Sequence, residues 1–248
     1  MNSELNPALD EEKINYALVG SYWRVKLFQE IESTQSYLAS LGSSLRAGDV
    51  AVAEFQSAGR GRLDRSFVAT RSASLLLSFY YEPERARDTW GAIALIIGTS
   101  IAEVIGDGFS TKWPNDVLHA TGKVSGTLCE FAGDGVIVGI GINTAMTREE
   151  LPVEAASSIY IATGSTPDRN ELLVSLLTRI KVNLESWEAG ANFTAAYLKL
   201  SSTCGSRVRA ILPGGAEIEG VAQSVSQRGE LVLDSGEHLS VGDITHLK

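Results

Sequence analysis

Residues 111–143 constrain the fold more than any other stretch, because they read as strand, loop, strand, turn and strand in unbroken succession. The turn, Gly133-Asp134-Gly135, joins apolar runs at 127–131 and 136–142, which is the composition of a tight hairpin. A further strand is predicted over 74–81 (SLLLSFYY), a continuous apolar and aromatic run of strand length. Residues 23–28 and 49–55 also read as strands, with a helix between them over 34–41, capped near Ser33 or Thr34. Residues 88–106 are apolar around most of the helical circumference, the mark of a helix covered on several sides. A long helix is predicted over 169–189. Pro167 precedes it, Asp168 and Glu171 resemble a capping pair, and Leu172, Leu176, Ile180, Leu184 and Trp187 recur at helical spacing.

After Ser201 the character changes. Five short strands are expected at 207–212, 217–224, 230–233, 238–241 and 244–247, separated by Pro213-Gly214-Gly215, Arg228-Gly229 and Ser235-Gly236, which suggests a small barrel. With 248 residues, 44% of them apolar, the chain can bury one sizeable core and carry such a satellite. The expected division is 1–200 and 201–248, with 1–20 a partly ordered leader that leaves no room for a separate DNA-binding domain. The net charge of -9 argues against a general nucleic-acid binder, which needs clustered excess Lys and Arg. Cys129 and Cys204 fit no zinc spacing and read as reduced thiols, and His119, His238 and His246 show no ligand spacing. The start of the chain lacks the regions of a signal peptide, and 91–105 is too short and too polar to span a bilayer. The expectation is a soluble cytoplasmic protein with neither DNA nor a membrane as partner.

Three segments could carry chemistry. Residues 56–65 (QSAGRGRLDR) follow a strand directly; glycines admit close backbone approach, and alternating arginines offer bidentate donors to carboxylate or phosphate. A flexible solvated turn, or one that touches RNA, has the same composition. Lys112-Trp113-Pro114-Asn115-Asp116 is followed by Lys123, whose ammonium suits a phosphate or a departing pyrophosphate. Asp116 could orient an incoming amine, accept its proton or help hold Mg²⁺, and the residues alone leave all three open, beside a plain turn. Gly139-Ile140-Gly141-Ile142-Asn143 closes a strand, with glycines where a ligand or a neighbouring backbone comes close and an amide able to read an adenine edge.

Together these segments resemble the biotin–protein ligase family. Its arginine–glycine loop is matched by Gly59-Arg60-Gly61-Arg62 and Arg65, and its Lys-Trp-Pro-Asn-Asp motif by Lys112 to Asp116. Its Lys-x-x-Gly is matched by Lys123-Val124-Ser125-Gly126, and its Gly-Ile-Asn by Gly141-Ile142-Asn143. The tail, with Arg207-Val208 and Leu212-Pro213-Gly214-Gly215, is similar to the family's C-terminal SH3-like domain. The resemblance implies an α/β (α+β) fold, a mixed sheet flanked by helices and related to class II aminoacyl-tRNA synthetases, with that barrel appended. It also implies ATP and biotin as substrates, Mg²⁺, and a biotin carboxyl carrier protein or domain as partner, in a monomer or homodimer.

By the same carry-over, Ser33, Thr34, Gln56, Gly59, Arg60, Lys123 and Gly126 would meet biotin. Arg60, Arg62, Arg65, Phe67, Lys112, Asn115, Lys123 and Asn143 would meet ATP or the adenylate. Arg60, Arg62, Lys123 and Asp116 would be catalytic, with Asp116 also a candidate toward the metal. Leu63 and Asp64 replace the Arg-Gly often found in the loop, and Phe67 stands where many relatives carry Trp. A lipoate–protein ligase and a non-enzymatic biotinyl-adenylate sensor remain as rival readings.

Overall fold

The computed structural model describes residues 6–62 and 65–247. Leu63 and Asp64, the departures inside the arginine loop, lie outside the described residues.

The larger part of the chain forms a seven-stranded sheet. Its strands are β1 (Arg24–Phe28), β2 (Asp49–Ala53), β3 (Ser74–Tyr81), β4 (Ser110–Lys112), β5 (Asp116–His119), β6 (Gly122–Ala132) and β7 (Gly135–Asn143), in the spatial order β1-β2-β3-β7-β6-β5-β4. The expected hairpin is β6–β7, paired from Ser125↔Ile142 to Ala132↔Gly135. Only β1 and β2 run parallel. A parallel pair needs a crossover, and the helix between them provides it.

The helices are α1 (Glu11–Ala17), α2 (Thr34–Ser40), α3 (Ala92–Ile105), α4 (Ile159–Thr163), α5 (Arg169–Glu188) and α6 (Thr194–Leu200). Strand alternation decides which face each covers. Leu75, Leu77 and Phe79 of β3, with Val136, Val138, Ile140 and Ile142 of β7, pack against Ile93, Ile97 and Ile101 of α3 and Leu173, Leu177 and Ile180 of α5. The alternate residues, Leu76, Ser78, Gly139 and Gly141, belong to the opposite face, where α2 covers one part with Leu38 against Tyr80 and Ile137. The rest of that face stays open.

One expectation changes here, the start of the helix over 88–106. Within the 1–20 segment, residues 9–18 hold α1 against the core: Leu9, Ile14 and Leu18 are buried, and the Asp10 side chain caps the helix. The anchor is an ion pair without solvent contact, Arg169 at 0% and Glu54 at 1% side-chain exposure, 2.7 Å apart. Arg169 also donates to the Pro7 carbonyl, and the Leu9 N–H donates to Glu54. The helix expected over 88–106 begins instead at Ala92, after a 3₁₀ turn at Arg87–Thr89. Its first turn is fixed from outside, because a side chain at Gly91 would strike the Arg228 carbonyl.

The tail forms a five-stranded antiparallel sheet of β8 (Arg207–Ile211), β9 (Glu217–Val225), β10 (Leu231–Leu233), β11 (His238–Leu239) and β12 (Asp243–His246), in the order β11-β10-β9-β8-β12. Its apolar face, with Val208, Ala210, Ala222, Leu231 and Leu233, closes over Leu95, Trp113 and Tyr197 of the larger part. Trp113 is 1% exposed, and its indole N–H donates to the Gly229 carbonyl at 3.0 Å. The small sheet therefore holds the 112–116 segment in place. Both cysteines are free thiols, and burial pushes Cys129 up to about 12, with Glu130 adding to the shift. Among the described residues no helix is long and apolar enough to cross a membrane.

Candidate functional site

The open sheet face holds a cavity of about 500 Å³. Its floor is β3, β6 and β7, and its rim comes from α2, residues 56–62 and 65–68, the 112–116 segment, residues 152–156 and the start of β12. Small residues keep the floor low. A Cβ at Gly141 would lie 2.5 Å from the Phe67 ring, and one at Gly126 would lie 3.1 Å from the Lys123 ammonium. Each glycine thus makes room for a particular neighbouring side chain.

The neutral part of the site is one hydrogen-bonded cluster. Thr34 donates to Gln56 Oε1 through its backbone N–H at 2.7 Å and its hydroxyl at 3.0 Å. That hydroxyl proton is then committed, so Ser78 Oγ, 2.8 Å from Thr34 Oγ1, is the donor between the two. Ser33 caps α2 by accepting from the Ser36 N–H.

The charged part surrounds the arginine loop, whose stem is closed by Gly61 N–H donating to the Arg65 carbonyl at 2.7 Å. Arg62 donates to Asn115 Oδ1 at 2.9 Å and to the Gly242 carbonyl, and Arg65 pairs with Asp243. Lys123 Nζ stands 2.6 Å from Asp116 Oδ1 across the β5–β6 ladder. The Lys123 backbone is pinned on both sides, donating to the Ala155 carbonyl at 2.8 Å and accepting from Ser157 N–H at 2.7 Å.

Of the residues expected from the sequence, Ser33, Thr34, Gln56, Arg60, Arg62, Arg65, Phe67, Lys112, Asn115, Asp116, Lys123, Gly126 and Asn143 all line this one cavity. Gly59 does not. Its carbonyl accepts from Phe67 N–H at 2.9 Å and a side chain there would strike the Phe67 carbonyl, so Gly59 lets the loop fold back on itself. Asn115 accepts from Arg62 through Oδ1 and donates through Nδ2 to the Thr127 carbonyl, while Asn143 donates through Nδ2 to the Ser157 carbonyl and accepts from Ser74 Oγ through Oδ1. Each thus ties together other parts of the site.

Asp116 faces an ammonium, and among the described residues no group of three His, Cys, Asp or Glu side chains could hold a metal ion. The two carboxylates that line the cavity, Asp116 and Asp243, each face a cation of the chain itself and do not form a dedicated metal cage. The sequence reading missed Gln35, Ser78, Asp243 and Ile244, which also line the cavity. For Gln35 a signal existed, since it sits in the first turn after the helix cap. Asp243, far along the chain, carried none.

Residues 27–144 match the biotin/lipoate A/B protein ligase family. The chain is 34% identical to the biotin–[acetyl-CoA-carboxylase] ligase of Mycobacterium tuberculosis, over 98% of both chains. It is 33% identical to the bifunctional ligase/repressor BirA of Salmonella typhimurium, over 91% of this chain and 73% of that protein. Among solved structures, a biotin protein ligase from Aquifex aeolicus in complex with biotin and ATP is similar with a TM-score of 0.79 at 30% identity, over 91% of this chain and 99% of that one.

Proposed function

The chain belongs to the biotin–protein ligase family, and from that membership we propose that it activates biotin with ATP to biotinyl-5′-AMP and transfers the biotin to a carrier-protein lysine. The observation that carries the reading is that one cavity joins a neutral hydrogen-bonding cluster, Thr34, Gln56 and Ser78, to the cations Arg60, Arg62 and Lys123. The first suits a polar uncharged ring, and the second suits a carboxylate beside a triphosphate.

In the first step the biotin carboxylate oxygen bonds to the α-phosphorus and pyrophosphate leaves with the electrons of the broken P–O bond. Arg60 and Arg62 offset the repulsion between the two anions, and Lys123 meets the charge that develops on the transferring phosphate. Mg²⁺ arrives as part of the substrate Mg-ATP, with Asp116 available to it as one carboxylate; ions of this kind are commonly held by one or two carboxylates and the phosphates themselves. In the second step a neutral amine attacks the carbonyl, AMP leaves and an amide forms. A free lysine titrates near 10.4, so the amine needs a proton acceptor; that Asp116 lines the cavity supports it in that role. The carrier's approach is supported by the edge of β6. β5 pairs with β6 only as far as Gly126, so residues 128–132 present an edge to which an extended segment can add. We also place the catalytic unit at 1–200 and the small sheet at 201–248.

Phe67 gives a focused prediction. Gly141→Ala puts a Cβ where the ring lies, and displacing an aromatic platform for a base should raise the KM for ATP by about tenfold. An ATP titration of pyrophosphate exchange checks this; an unaltered KM would remove Phe67 from the adenine site. The reading as a whole is tested by pyrophosphate exchange into ATP with biotin and lipoate in parallel. Exchange with biotin alone is the expected result. Exchange with lipoate alone would move the substrate, and exchange with neither would sink the enzyme reading.

A further inference from the structure

The cavity's arginines are matched by carboxylates of the chain itself: Arg60 by Glu130, Arg65 by Asp243, and Arg62, at 3.7 Å, by the same Asp243. The Arg60–Glu130 pair has a geometry of its own. Nη1 donates to Oε2 at 3.0 Å and Nη2 to Oε1 at 2.7 Å, the end-on bidentate form. Among the described residues these are the only hydrogen bonds that either side chain makes. Glu130 lines not the main cavity but its neighbour of about 360 Å³, which shares Arg62, Asn115 and Leu128 with the first. While the pair stands, both terminal nitrogens of Arg60 are committed to a carboxylate outside the ligand cavity.

We infer that Glu130 is the resting counter-ion of Arg60, and that substrate binding exchanges this carboxylate for the one biotin brings. The inference rests on the biotin reading above. Three physical points support the exchange. A second carboxylate reaching Arg60 with Glu130 in place would meet a like charge at close range. Release is cheap, because Arg60 is 45% and Glu130 36% exposed and water takes up both charges. Glu130 also leaves no partner behind inside the protein, unlike Glu54, whose loss of Arg169 would strand a buried charge. The carboxylate therefore acts on affinity as an internal competitor, holding the loop's first arginine until an external anion replaces it.

The alternative is a fixed bracket that presents Arg60 to the ligand, and it predicts the opposite sign. Glu130→Gln keeps the shape and removes the charge. In calorimetric titrations without ATP this variant is expected to bind biotin about two- to fivefold more tightly. The KM for biotin should fall by a similar factor, with kcat moving less. Glu130→Asp, which keeps the charge but draws it back, should fall between the two. In an Arg60→Gln background the Glu130→Gln effect should vanish, which a role of Glu130 independent of Arg60 would not produce. Biotin binding that is unchanged or weaker in Glu130→Gln overturns the counter-ion role. Wild-type protein that binds no biotin overturns the biotin reading, and this inference with it.

Discussion

Lys123→Ala is expected to lower biotin-dependent pyrophosphate exchange by about 10²–10³, the cost of removing one charge contact from a transition state that concentrates charge. The position explains why the effect should be this large. The Lys123 backbone is bonded to Ala155 on one side and Ser157 on the other, and Gly126 leaves open the space its ammonium occupies. Such a group spends little on reorganisation when charge develops. A drop within about threefold would remove Lys123 from the adenylation step and leave it only as the partner of Asp116. The loss should appear in kcat more than in KM for biotin if the contact strengthens in the transition state.

Arg169→Met is expected to destabilise the fold by about 3–5 kcal/mol, because it leaves the Glu54 carboxylate buried without its partner. Chemical denaturation measures this, and limited proteolysis of the segment before residue 18 should accelerate in parallel, since Pro7 and Leu9 bond to the same pair. The double variant Glu54→Leu with Arg169→Met should recover much of the loss, as apolar replacements of buried pairs often do. A single variant as stable as wild type would show that α1 and α5 hold without the pair.

The pair also sets a direction with pH. Burial acts to raise the Glu54 value, but hydrogen bonds from Arg169, the Leu9 N–H and Ser72, together with the Arg169 charge, leave it below the ordinary 4.5. Its contribution to stability is therefore fully present above 4.5 and is lost as pH falls through the lowered folded value. Arg169→Met should remove that part of the acid dependence.

Local order was legible wherever the pattern is local. The apolar run of β3, the Gly-Asp-Gly turn between β6 and β7, and the capped stripe of α5 each carry their signal within a few residues. The three ligand-site segments were legible for a related reason: close approach, bidentate charge and amide chemistry each require particular residue types in short succession. α1, α4 and α6 were missed, and none of these helices of seven residues or fewer forms from its own propensity. Tertiary contacts order them: buried Ile14 for α1, and Tyr197 inserted beneath the small sheet for α6.

What the amino-acid order determined by itself was thus the inventory: which segments are strands, which loop carries arginines, which residue types could meet an anion. The tertiary structure alone decided the partners. Glu130 for Arg60, Asp243 for Arg65 and Glu54 for Arg169 lie between 70 and 178 residues apart in the chain. No periodicity or spacing encodes such pairs, because a Coulomb contact depends on distance in space while a sequence pattern reports only the path along the backbone.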